Sequence, residues 1–119
     1  MSMYRITELP KILAILLVEQ GSYTYIDKLA QSTSKDLALY HIREALRDYH
    51  SLLSRGISND AARDIAGKIN FSYMENEIRE IKEVLSVSDL RERVSFLSSQ
   101  ALIEAARMKT RSAYDGGEK

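Results

Sequence analysis

The fold class is decided by residues 34–56, which read SKDLALYHIREALRDYHSLLSRG. Apolar side chains recur there at alternating intervals of three and four residues, at Leu39, Ile42, Leu46, Tyr49 and Leu53. That periodicity is typical of an α-helix that packs lengthwise on another helix. Ser34 is placed to cap its start, and Gly56 follows Arg55 at its end. The stretch therefore predicts one long amphipathic helix.

Upstream of this stretch, residues 8–20 predict a first helix. Thr7 is placed to cap it, Pro10 suits its first turn, and Gly21 is placed to end it. Residues 12–18 are apolar without interruption. A helix that is apolar on all sides is either central in its domain or partly covered by a neighbouring subunit.

The shorter helices are predicted from capping residues and apolar spacing. Ser22 or Thr24 opens a short second helix, and Ser58 caps a short fourth one. Ser72 and Glu75 have the spacing of a capping box, which predicts the start of a fifth helix. The apolar seam of that helix consists of Met74, Ile78, Ile81 and Leu85. We expect most of the charged side chains around the seam, Glu77 among them, to be solvated.

A last helix begins at Ser86 or Ser88 and loses its apolar pattern near Arg111. Its apolar positions are Leu90, Val94, Leu97, Ala101, Ala105 and Met108. Several residues of this helix are small and allow another backbone to approach closely: Ser95, Ser98, Ser99, Ala101, Ala105 and Ala106. This close approach serves packing inside the bundle or, alternatively, an interface with a second subunit, so a homo-oligomer is one expectation.

Together these patterns predict an all-α protein, a compact bundle of five to six helices. A length of 119 residues fits one domain. One proline and five glycines leave too few turn signals for an all-β chain. We expect a single helical domain at residues 1–111 and a flexible C-terminal tail at 112–119, where apolar periodicity is absent.

Composition excludes several functional classes. The sequence contains no cysteine, so it has neither disulfides nor a thiolate nucleophile. Its longest apolar run, residues 12–18, is far shorter than the roughly 20 residues that span a bilayer. Seventeen basic residues balance seventeen acidic ones, which argues against nucleic-acid binding by bulk charge. We therefore expect a soluble cytoplasmic protein without a membrane partner.

No catalytic, cofactor or metal motif is recognised. A Walker loop, a Gly-x-Gly fingerprint and a nucleophile elbow are all missing from the sequence. His41 and His50 are nine residues apart, on opposite faces of the long helix, so they cannot share a metal. Asp60 and Asp64 are one turn apart, which predicts a solvated face more than a cation site. We expect a non-enzymatic protein with no cofactor and no metal.

Local clusters of basic residues are the candidate nucleic-acid-binding sites. Arg43 and Arg47 lie one turn apart on the long helix, with Lys35 toward its start. A second cluster lies at the end of the last helix and consists of Arg107, Lys109 and Arg111. Phosphate contacts explain both clusters. For the second, favourable electrostatics at a helix C-terminus is the alternative explanation.

The aromatic residues are interpreted mainly as packing residues. Tyr40, Tyr49 and Phe96 fall on or beside apolar stripes, which predicts burial. Tyr4, Tyr23 and Tyr114 lie near chain ends or turns, where we expect exposure. Exposed aromatic rings are able to stack on bases, although packing or partner contact is the favoured explanation.

Residues 12–57 resemble the first half of a winged-helix regulator. The resemblance rests on residues 12–17, residues 26–30, the polar turn after them, and residues 41–46. It implies that the long helix enters the major groove as part of a DNA-binding transcriptional regulator. Lys35, Tyr40, Arg43 and Arg47 then face DNA, and a β-hairpin follows the long helix.

Most of the chain is also similar to the small helical subunit of the archaeal type I-A CRISPR surveillance (Cascade) complex. The features that carry this similarity are the apolar first helix, the segment SYTYIDKLA at residues 22–30, the long helix at 35–54 and the Ala/Arg-rich residues 101–111. The resemblance implies a non-enzymatic subunit for antiviral defence, which packs against other subunits and binds target or displaced single-stranded DNA. No catalytic residue is carried over from that family.

These resemblances lead to one expected function and two alternatives. The expected protein is an assembly subunit of a CRISPR-type nucleoprotein complex. Because its net charge is zero, we expect it to bind free single-stranded DNA or RNA weakly, at micromolar strength or worse. The alternatives are the winged-helix regulator and a purely structural protein, such as one from an archaeal virus.

Overall fold

A computed structural model describes the backbone of residues 8–117 and the side chains of residues 8–111. The described chain forms six α-helices: α1 (Leu9–Gln20), α2 (Thr24–Ala30), α3 (Lys35–Arg55), α4 (Asp60–Ala66), α5 (Phe71–Arg79) and α6 (Val87–Gly117). A π-helical segment, Glu80–Val84, continues α5. Residues 8–117 contain no β-strand. The predicted all-α bundle of five to six helices is confirmed.

The apolar helix α1 is the centre of the bundle. Its residues 12–17 are all buried, and it packs chiefly against α6, with further contacts to α3 and α4. Burial of one leucine or isoleucine side chain contributes roughly 1.5–3 kcal/mol, so this helix supplies a large part of the core stability. The apolar sequence of α1 is explained by its central position within one domain, without cover from a neighbouring subunit.

Several predicted helix ends are confirmed. The hydroxyl of Ser34 accepts a hydrogen bond from the Leu37 amide at 3.1 Å and caps α3. Gly21 ends α1 with φ of 65°, and Gly56 follows α3 with φ of 98°, both in the region that favours glycine. The hydroxyl of Ser86 accepts from the Asp89 amide at 3.1 Å at the start of α6. Thr7, the predicted cap of α1, lies outside the described residues.

Two predicted caps are wrong, because asparagines take their place. Asn59 accepts from the Ala62 amide at 2.8 Å and caps α4, whereas Ser58 donates its amide and hydroxyl to the Glu19 carboxylate. Asn70 accepts from the Tyr73 amide at 3.1 Å and caps α5. Ser72 therefore lies inside the first turn of α5 and cannot form the predicted capping box.

The buried stripe of α3 begins as predicted and then departs from the prediction. Leu39, Ile42 and Tyr49 are buried, but Leu53 is 41% exposed and its neighbour Leu52 is buried instead. At the C-terminal end of α3 the buried side is therefore formed by Tyr49 and Leu52, which lie three residues apart, rather than by Leu53.

The helices after α4 bury the predicted seams. Met74, Ile81 and Leu85 belong to the core, and Ile78 packs against it partly buried. In α6 all six predicted apolar positions are buried: Leu90, Val94, Leu97, Ala101, Ala105 and Met108. The backbone of α6 continues through the first part of the predicted 112–119 tail, whose side chains lie outside the described residues. Within residues 8–117, no helix is long and apolar enough to cross a membrane.

Candidate nucleic-acid interface

Arg43 and Arg47 are two neighbouring basic side chains of the predicted site. Both are exposed on α3, one helical turn apart. Among residues 8–111, neither has a hydrogen-bond or ion-pair partner. Lys35 lies at the start of the same helix, half-buried and likewise without an ion pair within that range. The two guanidinium groups are therefore free to contact an external anion.

The carboxylates nearest in sequence to these arginines are already engaged elsewhere. Glu44 faces His41 across 3.7 Å. Asp48 accepts hydrogen bonds from the Tyr25 hydroxyl at 2.8 Å and from Gln20 at 3.4 Å. Burial and the bond to Asp48 raise the pKa of Tyr25 to about 12. The contacts of Asp48 direct its carboxylate toward α1 and α2, whereas Glu44 lies beside His41 on α3 itself.

The second predicted cluster, on α6, is partly neutralised. Arg107 lies 3.4 Å from Glu104, and Arg111 lies 3.5 Å from Asp64 of α4. A hydrogen bond from Lys68, together with the charges of Lys68 and Arg111, lowers the pKa of Asp64. Lys109 is exposed and has no ion pair among the described side chains.

The two basic clusters are not joined by a direct contact. In the described part of the chain, no hydrogen bond, ion pair or ring contact joins the α3 cluster to the α6 cluster. Because the α6 backbone continues to Gly117, residues 107–111 lie before its final turn. The helix-end explanation of the α6 cluster is therefore weakened, since that effect is confined to the last turn.

The predicted tyrosine and histidine positions are confirmed in part. Tyr49 is fully buried, but Tyr40 is 55% exposed, so its prediction as a packing residue is wrong. Residue 40 is one position beyond the buried Leu39, which turns its side chain toward solvent. Tyr23 is exposed as expected, and the side chains of Tyr4 and Tyr114 lie outside the described residues. His50 is exposed and His41 is half-buried, on opposite faces of α3.

The small cavity inside the bundle and the acidic residues of α4 offer little chemistry. A cavity of about 10 Å³ lies between α1 and α3 and is lined by apolar side chains, Leu9, Ile12, Leu13, Ile42, Ala45 and Leu46. Asp60 is paired with Arg63 at 2.8 Å. Among the side chains of residues 8–111, no three histidine or acidic residues are grouped so as to hold a metal ion.

Comparison with known proteins places the chain beside an archaeal relative. It is 43% identical over 101 residues to an uncharacterized protein of Archaeoglobus fulgidus, a match that covers 84% of this chain and 87% of the relative. The chain belongs to this archaeal protein's family. No family model and no solved structure matches it.

One group of charged side chains in this protein is buried, contrary to the prediction that such side chains are solvated. Glu77 was expected to be solvated but is buried in the structure. Its Oε1 accepts hydrogen bonds from the amides of Glu8 and Leu9, at 2.8 and 2.9 Å. Burial raises the pKa of Glu77 to about 7, although both amides lower it. The Glu8 carboxylate raises this pKa further, and Arg93 opposes that effect.

Two further charged side chains are buried beside Glu77. Arg93 of α6 donates to Glu80 at 3.0 Å, and Glu8 lies 3.3 Å from Lys11. The sequence carries a signal for the burial of Glu77 and Arg93. Glu77 lies three residues after Met74 and four before Ile81. Arg93 has the same relation to Leu90 and Leu97. Spacing of this kind places a residue on the buried face of its helix. The group joins α1, α5 and α6, and we assign it a role in holding these helices together.

Proposed function

We propose that this protein is a non-enzymatic assembly subunit of a nucleoprotein complex, in which Arg43 and Arg47 contact the nucleic-acid backbone. The observation that carries this proposal is the pair of exposed guanidinium groups, one turn apart and without a partner among the described side chains. Arginine in this setting donates paired hydrogen bonds to phosphate oxygens. The α6 cluster of Arg107, Lys109 and Arg111 is a second, weaker contact, because two of its three charges already have carboxylate partners.

Within this proposal, the complex is a CRISPR-type surveillance complex of archaea and the chain is its small subunit. The all-α fold and the archaeal relative are compatible with that assignment. The partners are then sister subunits, other subunits of the complex, and target or displaced single-stranded DNA in the cytoplasm. With a net charge of zero, the isolated protein has little long-range attraction for nucleic acid. The complex is expected to supply most of the affinity.

The winged-helix alternative requires a β-hairpin after α3. Residues 57–79 form α4, α5 and their connections instead. A wing of the expected kind is therefore not formed in the described chain, and no observed contact favours this alternative.

The proposal is tested by purifying the tagged, full-length protein from its native host. We expect a stoichiometric assembly that contains other protein subunits and nucleic acid. Reversal of both charges in R43E/R47E should release the nucleic acid and leave the protein subunits associated. The matched control is K82E/R91E, which reverses the same charge at two exposed residues outside the site. A nucleic-acid-free assembly, or equal nucleic-acid content in R43E/R47E and wild type, would contradict the proposal.

A further inference from the structure

Aromatic rings extend the arginine pair of α3 in both directions. Tyr40, Arg43, Arg47 and His50 are separated by three, four and three residues, which places all four on one face of the helix. Tyr40 is 55% exposed, and Arg43, Arg47 and His50 are exposed as well. At a rise of about 1.5 Å per residue, the distance from Tyr40 to His50 along the helix is about 15 Å.

The end of this face at His50 is widened by α5. The rings of His50 and Phe71 are stacked, with centroids 6.2 Å apart and planes inclined by 14°. Phe71 itself is 42% exposed. Two nearly parallel rings therefore form an aromatic platform, and Tyr40, whose ring meets that of His41 edge-on at 5.5 Å, lies at the other end of the arginine pair.

The carboxylates on this side of α3 do not interrupt the four residues. Asp48 accepts hydrogen bonds from Tyr25 and Gln20, and Glu44 lies 3.7 Å from His41, to one side of the four residues. Asp36, one turn before Tyr40, is exposed and bounds the face at its N-terminal end. The positive charge is thus confined to the middle of the face, between the aromatic ends.

We propose that Tyr40, Arg43, Arg47 and His50, with Phe71 behind His50, form a track for a short stretch of single-stranded nucleic acid. Bases stack on Tyr40 and on the His50–Phe71 platform, and the phosphates between them contact the two arginines. The inference rests on the proposed function and adds the side chains on which the bases of the strand stack.

The alternation of rings and cations favours a single strand over a duplex. Stacking on a side chain requires an unpaired base with a free face, which a base pair inside a duplex does not offer. Every base has such a face, so the track should tolerate any sequence. A duplex can use only the two arginines, and the neutral protein adds no bulk attraction for it.

The test is fluorescence anisotropy at low salt with the full-length protein and a short labelled oligothymidylate. Y40A and H50A should each weaken binding by about fivefold or more, the usual effect of losing one stacking contact. Y23A is the matched control for Y40A, because Tyr23 is 52% exposed but lies outside the track. Y73A is the matched control for F71A, since Tyr73 and Phe71 are both 42% exposed on the same helix. Circular dichroism confirms that each variant is folded.

Two probes of equal length complete the experiment. An abasic strand keeps the phosphates and removes the bases, and a duplex keeps both but hides the base faces. We expect both probes to bind more weakly than oligothymidylate, and Y40A should bind the abasic strand as wild type does.

The outcomes separate this inference from the proposed function. If R43A/R47A loses binding while Y40A and F71A match their controls and H50A binds like wild type, the track is refuted and the phosphate contact stands. Equal affinity for duplex and single strand refutes the track as well. If R43A/R47A binds like wild type, the arginine contact itself is refuted.

Discussion

Glu77 and Leu9 are joined by a hydrogen bond of 2.9 Å, although they are 68 positions apart in the chain. The acceptor is Oε1 of Glu77, which also accepts from the Glu8 amide at 2.8 Å. The first amides of an α-helix have no partner within the helix, and α1 has no side-chain cap from its own residue Glu8. A carboxylate from α5 therefore caps the central helix of the bundle.

The first prediction concerns the loss of this cap. Glu77→Ala leaves two buried amides without an acceptor, so we expect the free energy of unfolding to fall by about 2–4 kcal/mol. Glu75→Ala, on an exposed face of the same helix, is the control and should change it by less than about 0.5 kcal/mol. Urea denaturation followed by circular dichroism measures both. Equal stabilities of the two variants would contradict the capping role.

The second prediction is a pH dependence that arises from Glu77. Burial raises the pKa of Glu77 from 4.5 to about 7, so the folded protein holds a proton that the unfolded chain has already released. The proton-linked part of the stability that Glu77 provides is therefore full below about pH 4.5 and is lost as the pH rises through about 7, whereas its hydrogen bonds to the two amides do not require the proton. The proton-linked part amounts to about 3 kcal/mol.

This dependence is isolated by comparison with Glu77→Gln, which keeps an oxygen acceptor but does not titrate. All other acids are shared, so the difference in unfolding free energy between wild type and Glu77→Gln should change between pH 4.5 and pH 8. Urea titrations across that range provide the measurement, with Glu75→Gln as the control. A difference that stays constant with pH would show that Glu77 titrates normally in the folded protein.

The local features of the fold were predictable from the sequence. The Ser34 cap and the apolar positions of α6 depend on residues within a few turns of each other, and both are confirmed. The Ser58 cap was not predictable in the same way. Glu19, 39 positions away, takes the Ser58 hydroxyl, and Asn59 then caps α4 in its place. A local sequence pattern does not show that a residue distant in the chain will take the capping hydroxyl.

In the candidate site, too, the local features follow from the sequence and the contacts between distant residues do not. Arg43 and Arg47 are exposed as expected, because a charged residue on the polar side of an amphipathic helix faces solvent. The stacking of His50 on Phe71 joins α3 to α5, and no spacing in the sequence indicates it. Burial of Glu77 between Met74 and Ile81 depends on the amides of Glu8 and Leu9, which are 69 and 68 positions away and hydrogen-bond its carboxylate.

The third prediction compares the two glycines with positive φ. A Cβ atom at Gly21 or Gly56 meets no other atom within 4 Å, so substitution tests the backbone alone. Gly21 has φ and ψ of 65° and 28°, in the left-handed helical region, which costs alanine about 1 kcal/mol. Gly56 has φ and ψ of 98° and 143°, far from any region that alanine adopts.

We therefore expect Gly56→Ala to be the more destabilising of the two substitutions, by about 1 kcal/mol or more. Thermal unfolding of both variants at one pH provides the comparison. Gly21→Asn should recover part of the loss seen in Gly21→Ala, because asparagine tolerates the left-handed region. An equal loss in Gly21→Ala and Gly56→Ala would mean that the backbone after α3 relaxes on substitution.

The fourth prediction concerns the salt dependence of binding. Each phosphate contact to a single strand contributes about 0.7 to the slope of log affinity against log salt. R43A/R47A should therefore reduce that slope by about 1.4, whereas K82A/R91A should leave it unchanged. Anisotropy titrations at several salt concentrations give the slopes. Parallel slopes for wild type and R43A/R47A would exclude these arginines from phosphate contact.

The central claim is that the outer face of α3 binds nucleic acid, and an NMR titration tests it most directly. Isotope-labelled full-length protein is titrated with oligothymidylate while the backbone amide shifts are followed. We predict shift changes along residues 40–50 and at Phe71, at micromolar or weaker affinity, with α1 unaffected. Changes centred on a different surface, or none at saturating oligonucleotide, would contradict the claim.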